Sequence, residues 1–188
     1  LGGFTRSSAS YDVTSPLIGI TNYWVVKVNQ EGNIEWNKTI GGTSNDFLSS
    51  VIQTADGGYL IGGTSNSGIS GDKSDSARWG SYDYWVVKLD MDGNIQWNKT
   101  FGGMQTDSLM SLAQTPEGNY LLGGFTYSDS TGDMSHHNHG GADYWLVKID
   151  ATGHKIWDKD YGTSSNDYMR VVRVTSDNHY ILGGSIYG

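Results

Sequence analysis

One seven-residue stretch occurs three times in this chain and constrains its fold more than any bulk property. The copies read Tyr23-Trp24-Val25-Val26-Lys27-Val28-Asn29, Tyr84-Trp85-Val86-Val87-Lys88-Leu89-Asp90 and Tyr144-Trp145-Leu146-Val147-Lys148-Ile149-Asp150. Trp24, Trp85 and Trp145 stand 61 and 60 residues apart, and the residues behind each copy repeat in step. A period of this length marks an array of like units, each too small to bury its own apolar face and dependent on its neighbours for a core.

Each unit holds four strand-like runs. The first, 84–90 in the middle copy, is apolar on both parities: Trp85, Val87 and Leu89 on one side, Tyr84 and Val86 on the other. That pattern predicts a strand buried on both faces. Asp92-Gly93-Asn94 follows as a tight turn in which glycine supplies a positive φ. The second run, 95–101, alternates, which predicts Ile95, Trp97 and Phe101 inward and Gln96, Asn98 and Thr100 outward. Gly102-Gly103 then breaks the ladder. The third run, 108–115, carries Leu109, Met110 and Leu112, and Pro116-Glu117-Gly118-Asn119 turns the chain into the fourth, Tyr120-Leu121-Leu122-Gly123-Gly124-Phe125. A long polar loop leads to the next Tyr-Trp pair, and loops of such length are often functional. No stretch shows helical periodicity of useful length.

Four antiparallel strands per unit make a meander, and like meanders stacked about an axis make a β-propeller. A β-solenoid competes, but its repeats are usually shorter and parallel. The expectation is an all-β fold: a β-propeller segment of three four-stranded antiparallel blades. It forms one repeat region, 1–188, divided at about 1–59, 60–120 and 121–180, with 181–188 starting a further blade. Leu1-Gly2-Gly3-Phe4 matches Leu122-Gly123-Gly124-Phe125, so the chain starts in mid-repeat. Propellers close with about 4–8 blades, so further blades from the same chain or another are expected to complete a larger ring.

The motifs Asp-Tyr-Trp-Val-Val-Lys-Leu-Asp at 83–90, Asp92-Gly93-Asn94, Trp-Asn-Lys-Thr-Phe-Gly-Gly at 97–103, Gly118-Asn119-Tyr120 and Leu122-Gly123-Gly124 resemble the propeller repeats of delta-60 type. Such repeats occur in large secreted and cell-surface bacterial proteins, those of Bacteroidetes among them. The resemblance covers the whole chain. It implies four-stranded blades and an extracellular or cell-surface location, and it brings no shared catalytic residues. The third copy departs from it at Gly162-Thr163, where one glycine of the pair is lost.

Composition narrows the function classes. With 12 basic and 20 acidic residues the formal charge is −8, the opposite of the clustered positive charge that nucleic acid requires. There is no cysteine, which excludes thiol catalysis, disulfides and thiolate metal sites. The longest apolar runs, such as 84–87, fall far below the roughly 20 residues of a spanning helix, so membrane insertion is not expected.

Few residues point to chemistry. Six of the seven Trp sit at repeated places, which favours packing between blades over a stacking platform; Trp79 occurs once, in a long loop. Asp46, Asp107 and Asp167 recur before the third run, where an Asp usually accepts backbone N–H bonds and fixes a turn. Asn22, Asp83 and Asp143 precede the first run. If that run lined the central channel, they would form a solvated polar ring at one mouth, with Lys27, Lys88 and Lys148 further along. The sequons at Asn37 and Asn98 lie in register inside the second run and read as structural.

The long loops, 6–21, 65–82 and 126–142, differ most between copies and should share a face with the Asp46, Asp107 and Asp167 turns. Arg78, Trp79, Asp72 and Asp75 are the candidate ligand-binding residues, because Arg and Trp are enriched at binding hot spots. His136, His137 and His139 with Asp133 are the densest set of potential metal ligands, suited to a divalent cation such as Zn²⁺. The preceding loop has no His, which favours a solvated polar loop without metal, and no other cofactor is implied. The expected function is a non-catalytic binding or structural module that engages a glycan or protein through its long loops. A propeller glycosidase, a quinoprotein-like dehydrogenase and an assembly element docking through open blade edges are the alternatives.

Overall fold

A computed structural model describes residues 1–187; Gly188, which ends the stretch 181–188, lies outside the described residues. Among the described residues the fold is all-β, broken only by a short 3-10 turn at Arg78–Gly80. β1 (Gly2–Thr5), β2 (Asn22–Val28) and β3 (Ile34–Ile40) form a three-stranded sheet. β4 (Asp46–Gln53), β5 (Tyr59–Ser65), β6 (Asp83–Leu89) and β7 (Ile95–Phe101) form a four-stranded one. β8 (Asp107–Gln114), β9 (Tyr120–Thr126), β10 (Asp143–Ile149) and β11 (Lys155–Tyr161) form another, and β12 (Asp167–Val174) pairs with β13 (Tyr180–Ile186). Every named pairing is antiparallel.

The four-stranded antiparallel, propeller-like blade is therefore present, but the blade and the sequence repeat are half a unit out of phase. A sheet opens with the third and fourth runs of one repeat and closes with the first and second runs of the next. Two four-stranded blades are complete within the described residues, flanked by sheets of three and two strands, where three full blades were expected. The phase also corrects the assignment of the channel. The innermost strands are β4, β8 and β12, which flank an axial trough of about 590 Å³ lined by Ser50, Val51, Ser111, Leu112, Arg170 and Arg173. Ser50 Oγ accepts the Leu112 N–H (3.1 Å) and Ser111 Oγ the Val172 N–H (3.2 Å), so successive inner strands touch. The Tyr-Trp strand lies third in its blade, away from the axis.

That third position explains its double-sided apolar pattern. Trp85, Val87 and Leu89 face the preceding blade and pack against its Tyr23 and Val25, beside Leu48 and Ile61 of their own blade. Tyr84 and Val86 face the following blade, with Leu109, Leu122, Trp145 and Val147. A third layer, built on Leu121, Leu146, Met169 and Val172, joins β8–β11 to β12–β13. The Tyr23 and Trp85 rings lie 4.7 Å apart, as do Tyr84 and Trp145. Each Tyr hydroxyl then donates to the backbone carbonyl of that Trp, Tyr23 to Trp85 at 3.0 Å and Tyr84 to Trp145 at 3.1 Å.

The Leu-Gly-Gly of the fourth run answers to the same packing. A Cβ on Gly62 would press on Leu109 and Leu112 of the next blade. One on Gly124 would meet the Tyr84 hydroxyl at 2.6 Å and the β8 backbone beside a bulge between Leu109 and Ser111.

The alternation of the second run does not hold as expected. Asn98 and Thr100 are buried, while Trp97 is only half-buried against Tyr120. The cause is the loop 66–82, which folds back over the outer strands. Asn98 Oδ1 accepts the Trp85 indole N–H (3.2 Å) and the Ser74 N–H (3.0 Å), and its amide donates to the Asp72 carbonyl (3.0 Å). The sequon asparagine thus spends its polar atoms inside the blade.

Trp85, fully buried between two blades, and Trp97, at a blade rim, make contrasting probes. Trp85→Ala should cost about 3–5 kcal/mol in equilibrium denaturation and Trp97→Ala clearly less. Equal costs would contradict the placement of these strands.

Candidate functional site: the long-loop face

The face carrying the long loops is built on the connections that cross from one blade to the next. Gly41 to Asn45 leads from β3 to β4, and Gly102 to Thr106 from β7 to β8. At each crossing an aspartate accepts the N–H of the second glycine: Asp46 from Gly42 and Asp107 from Gly103, both at 2.7 Å. Asp167 takes the Thr163 N–H in the same way (2.5 Å). The recurring Asp is a turn anchor, as its position implies. A Cβ on the first glycine would collide with the side chains beneath, Asn22 and Asp46 at Gly41, Asp83 and Asp107 at Gly102. A Cβ on the second would strike Ser67 or Ser128. Thr163 stands in that second place at the third crossing, and its hydroxyl donates to the Tyr187 carbonyl (3.4 Å).

Asn22, Asp83 and Asp143 are thus fully buried under the crossings, and the solvated ring expected of them is not formed. Each opens a Tyr-Trp strand, away from the axis, and none of the three side chains lines the trough. Lys88 is buried at the far end of β6, where Nζ pairs with Asp56 at 2.8 Å. Burial pushes the Asp83 carboxyl up to about 7, with the Asp107 charge adding to the rise, and burial pushes Asp107 up to about 6.

The long loops divide into two halves. The first half repeats, a pattern that inspection for variable loops overlooks. Ser67, Ser70, Gly71, Asp72 and Ser74 correspond to Ser128, Thr131, Gly132, Asp133 and Ser135. Asp72 exchanges two backbone-directed bonds with Gly41, its N–H to the carbonyl (2.9 Å) and its carboxylate to the N–H (3.1 Å). Asp133 does the same with Gly102 at the same two distances. Ser67 Oγ receives the Ser44 N–H (3.0 Å) and Ser128 Oγ the Gln105 N–H (2.9 Å). The half-loop is a clasp that ties each crossing down. Lys73 enters it fully buried, with Nζ donating to Thr100 Oγ1 (2.9 Å) and lying 4.9 Å over the Trp85 ring, and burial pushes its ammonium down to about 8.

The four residues proposed for ligand contact therefore separate. Asp72 belongs to the clasp, and burial raises its carboxyl. Asp75 accepts the Thr100 N–H at 3.1 Å. Arg78 braces two loops, its guanidinium lying 3.7 Å from Asp75 and 3.3 Å from Asp133 of the next loop. Trp79 alone stands out, 63% exposed and held at φ 51°, ψ 21°. A left-handed conformation is costly for a bulky residue and persists only where the surroundings impose it. Here the Arg78 N–H is bound by the buried Asp83 carboxylate, and Ser81 Oγ donates to the Arg78 carbonyl (2.8 Å).

The four residues proposed for metal also separate. Asp133 is committed to Gly102 and Arg78. His136 Nε2 lies beside the Asp158 carbonyl and Lys159 Nζ (3.2 and 3.1 Å), and the exposed His137 Nδ1 lies 3.0 Å from Asp129. His139 Nδ1 instead meets Asp143 (3.2 Å) and Asp160 (3.1 Å). Asp160 escaped the sequence reading. The signal was a departure from the repeat: Thr39 and Thr100 occupy its position in the other copies.

No family model matches the chain. Among curated proteins it is similar to regulatory protein FlaEY of Caulobacter vibrioides, 25% identical over 183 residues. The likeness covers 92% of this chain and 19% of that protein, so the chain spans under a fifth of its relative's length.

The buried carboxylates fix the sign of a pH effect. An unfolded Asp titrates near 3.9, whereas Asp83 and Asp107 titrate at about 7 and about 6 in the fold. The native state thus binds more protons between these values, and stability contributed by them declines as pH rises from about 4 to about 7. Asp83→Asn, which installs the residue found at Asn22, should flatten that decline in urea denaturation series. An unchanged slope would show that Asp83 does not carry it.

Proposed function

We propose that this chain is a non-catalytic binding or structural propeller module of a secreted or surface-exposed protein, and that its long-loop face engages a glycan or protein. The observation carrying this reading is Trp79, a large aromatic presented to solvent in a left-handed backbone conformation, next to an Arg78 N–H that buried Asp83 binds. Loops on a rigid scaffold are where binding residues collect, and Trp at the centre of a contact often dominates its energy. The resemblance to delta-60-type repeats supports the surface location. The relative's name describes that protein as regulatory, which accords with a role in binding rather than turnover. The opposite face offers tight turns at Gly32, Gly93 and Gly153 and at Gly57, Gly118 and Asn178, all at positive φ, with little surface for contact.

Open sheet edges favour a second reading, docking to further blades of the same or another chain. β1 and β13 each have a strand on one side only among the described residues. Size-exclusion chromatography tests it: a stable monomer of the isolated chain counts against assembly with other copies through these edges.

The binding reading is tested on a glycan array and with candidate surface proteins. Trp79→Ala should weaken any specific binding at least about tenfold, the equivalent of about 1.4 kcal/mol, and Asn94→Ala should leave it intact. Binding that survives Trp79→Ala and fails with changes at Asn33, Asn94 or His154 would place the site on the opposite face.

A further inference from the structure

The third copy departs from its siblings at one spot in a concerted way. Where the middle copy has Lys73, Arg78, Asn98 and Thr100, the third has Met134, His139, Asp158 and Asp160. Two cations disappear and two carboxylates enter the same layer, between the clasp loop and the outer strands. In the middle blade Lys73 Nζ fills this layer by donating to Thr100 Oγ1; in the third, buried Met134 brings no charge. Lys155 supplies one ammonium, committed to Asp158 at 2.9 Å, and Lys159 faces His136 at 3.1 Å.

What remains is His139 between two buried aspartates. One ligand atom from each of His139, Asp143 and Asp160 lies within 4.8 Å of the others. His139 Nδ1 is 3.2 Å from Asp143 Oδ2 and 3.1 Å from Asp160 Oδ2. The Asp143 side chain is fully buried and that of Asp160 is 4% exposed, while His139 is half-exposed. Asp160 Oδ2 has no hydrogen-bond partner, although it points at the imidazole. A ring N–H lies in one direction and serves one acceptor; Nδ1 faces two carboxylates and cannot satisfy both. A buried unpaired carboxylate is costly, and a bound cation removes that cost.

We propose that His139, Asp143 and Asp160 bind a divalent first-row cation of the Zn²⁺ type. Ligands about 2.0–2.1 Å from a tetrahedral zinc lie about 3.3–3.4 Å from each other, close to the two separations that His139 Nδ1 already makes with the aspartates. One nitrogen and two oxygens suit zinc, whereas Ca²⁺ takes 6–8 oxygens. Three protein ligands leave a fourth position, and the exposed His139 directs it to the loop face, so the ion can take water or an anionic group of a partner. The Nδ1 lone pair binds the metal, so Nδ1 carries no proton in the bound state, and any proton there is released to solvent.

Calorimetric titration of the full chain with zinc chloride, with thermal melting in parallel, tests this. The wild type should bind one zinc per chain saturably, and zinc should raise its melting temperature. Asp160→Thr restores the residue of the other two copies, so its fold is expected to survive, which circular dichroism checks. It and His139→Ala should each weaken binding at least tenfold and abolish the thermal shift. The double variant His136→Ala with His137→Ala should bind as the wild type does. Full-strength binding by a folded Asp160→Thr, loss in the double variant, or no saturable binding by the wild type would each overturn the proposal.

Discussion

The structure depends on one contact made between successive blades: a tyrosine laid against the tryptophan of the next blade, its hydroxyl bonded to that tryptophan's backbone carbonyl. Tyr23 and Tyr84 make it to Trp85 and Trp145. A sheet of three or four strands has two apolar faces and cannot cover either alone, so stability comes from stacking. The ring supplies area for burial, and the hydroxyl fixes the register, because a carbonyl already within a sheet can be reached only from one direction. Several repeat features follow. Strand β6 must be apolar on both faces because each face meets a different blade. Gly124 must lack a side chain because the Tyr84 hydroxyl comes within 2.6 Å of where a Cβ would be.

A second constraint sits where the chain crosses between blades. Each crossing would leave backbone N–H groups unsatisfied beneath the surface, and such groups are costly. Asp46, Asp107 and Asp167 meet them from below, while Ser67 and Asp72, or Ser128 and Asp133, meet them from above. Long loops are usually regarded as free to vary. Here the first half of each of the two later loops is bound to the scaffold, and only the second half, with Trp79 in one loop and His139 in the next, is free to diverge. The buried carboxylates follow from the same arrangement. They are held for their acceptor oxygens, and burial raises the carboxyls of Asp83 and Asp107 as a consequence.

Much of this was legible in the residues. The repeat, the turns and the double-sided burial of the Tyr-Trp strand follow from patterns that depend on near neighbours in sequence. The blade phase was not legible, because repeat period and blade period are equal and nothing local marks which strand lies nearest the axis. Asn98 and Thr100 were assigned to solvent because alternation describes one strand and its sheet; a loop folding over that strand is invisible to it. Trp79 was visible as a departure from the repeat. Asp160 was equally a departure, but a Thr-to-Asp change in an alternating strand resembles an ordinary surface substitution until the strand is known to be covered. His136, His137 and His139 fall within four residues, yet their side chains meet different partners, since spacing in an extended loop does not fix direction once the loop is clasped at several points.

The account rests most heavily on the tyrosine latch, and urea denaturation of Tyr84→Phe tests it most directly. The substitution keeps the ring packed against Trp145 and removes only the hydroxyl. The account predicts a loss of about 1–3 kcal/mol, the cost of leaving a buried group without its partner, with no change for the fully exposed Tyr11→Phe. A Tyr84→Phe chain as stable as the wild type would contradict it.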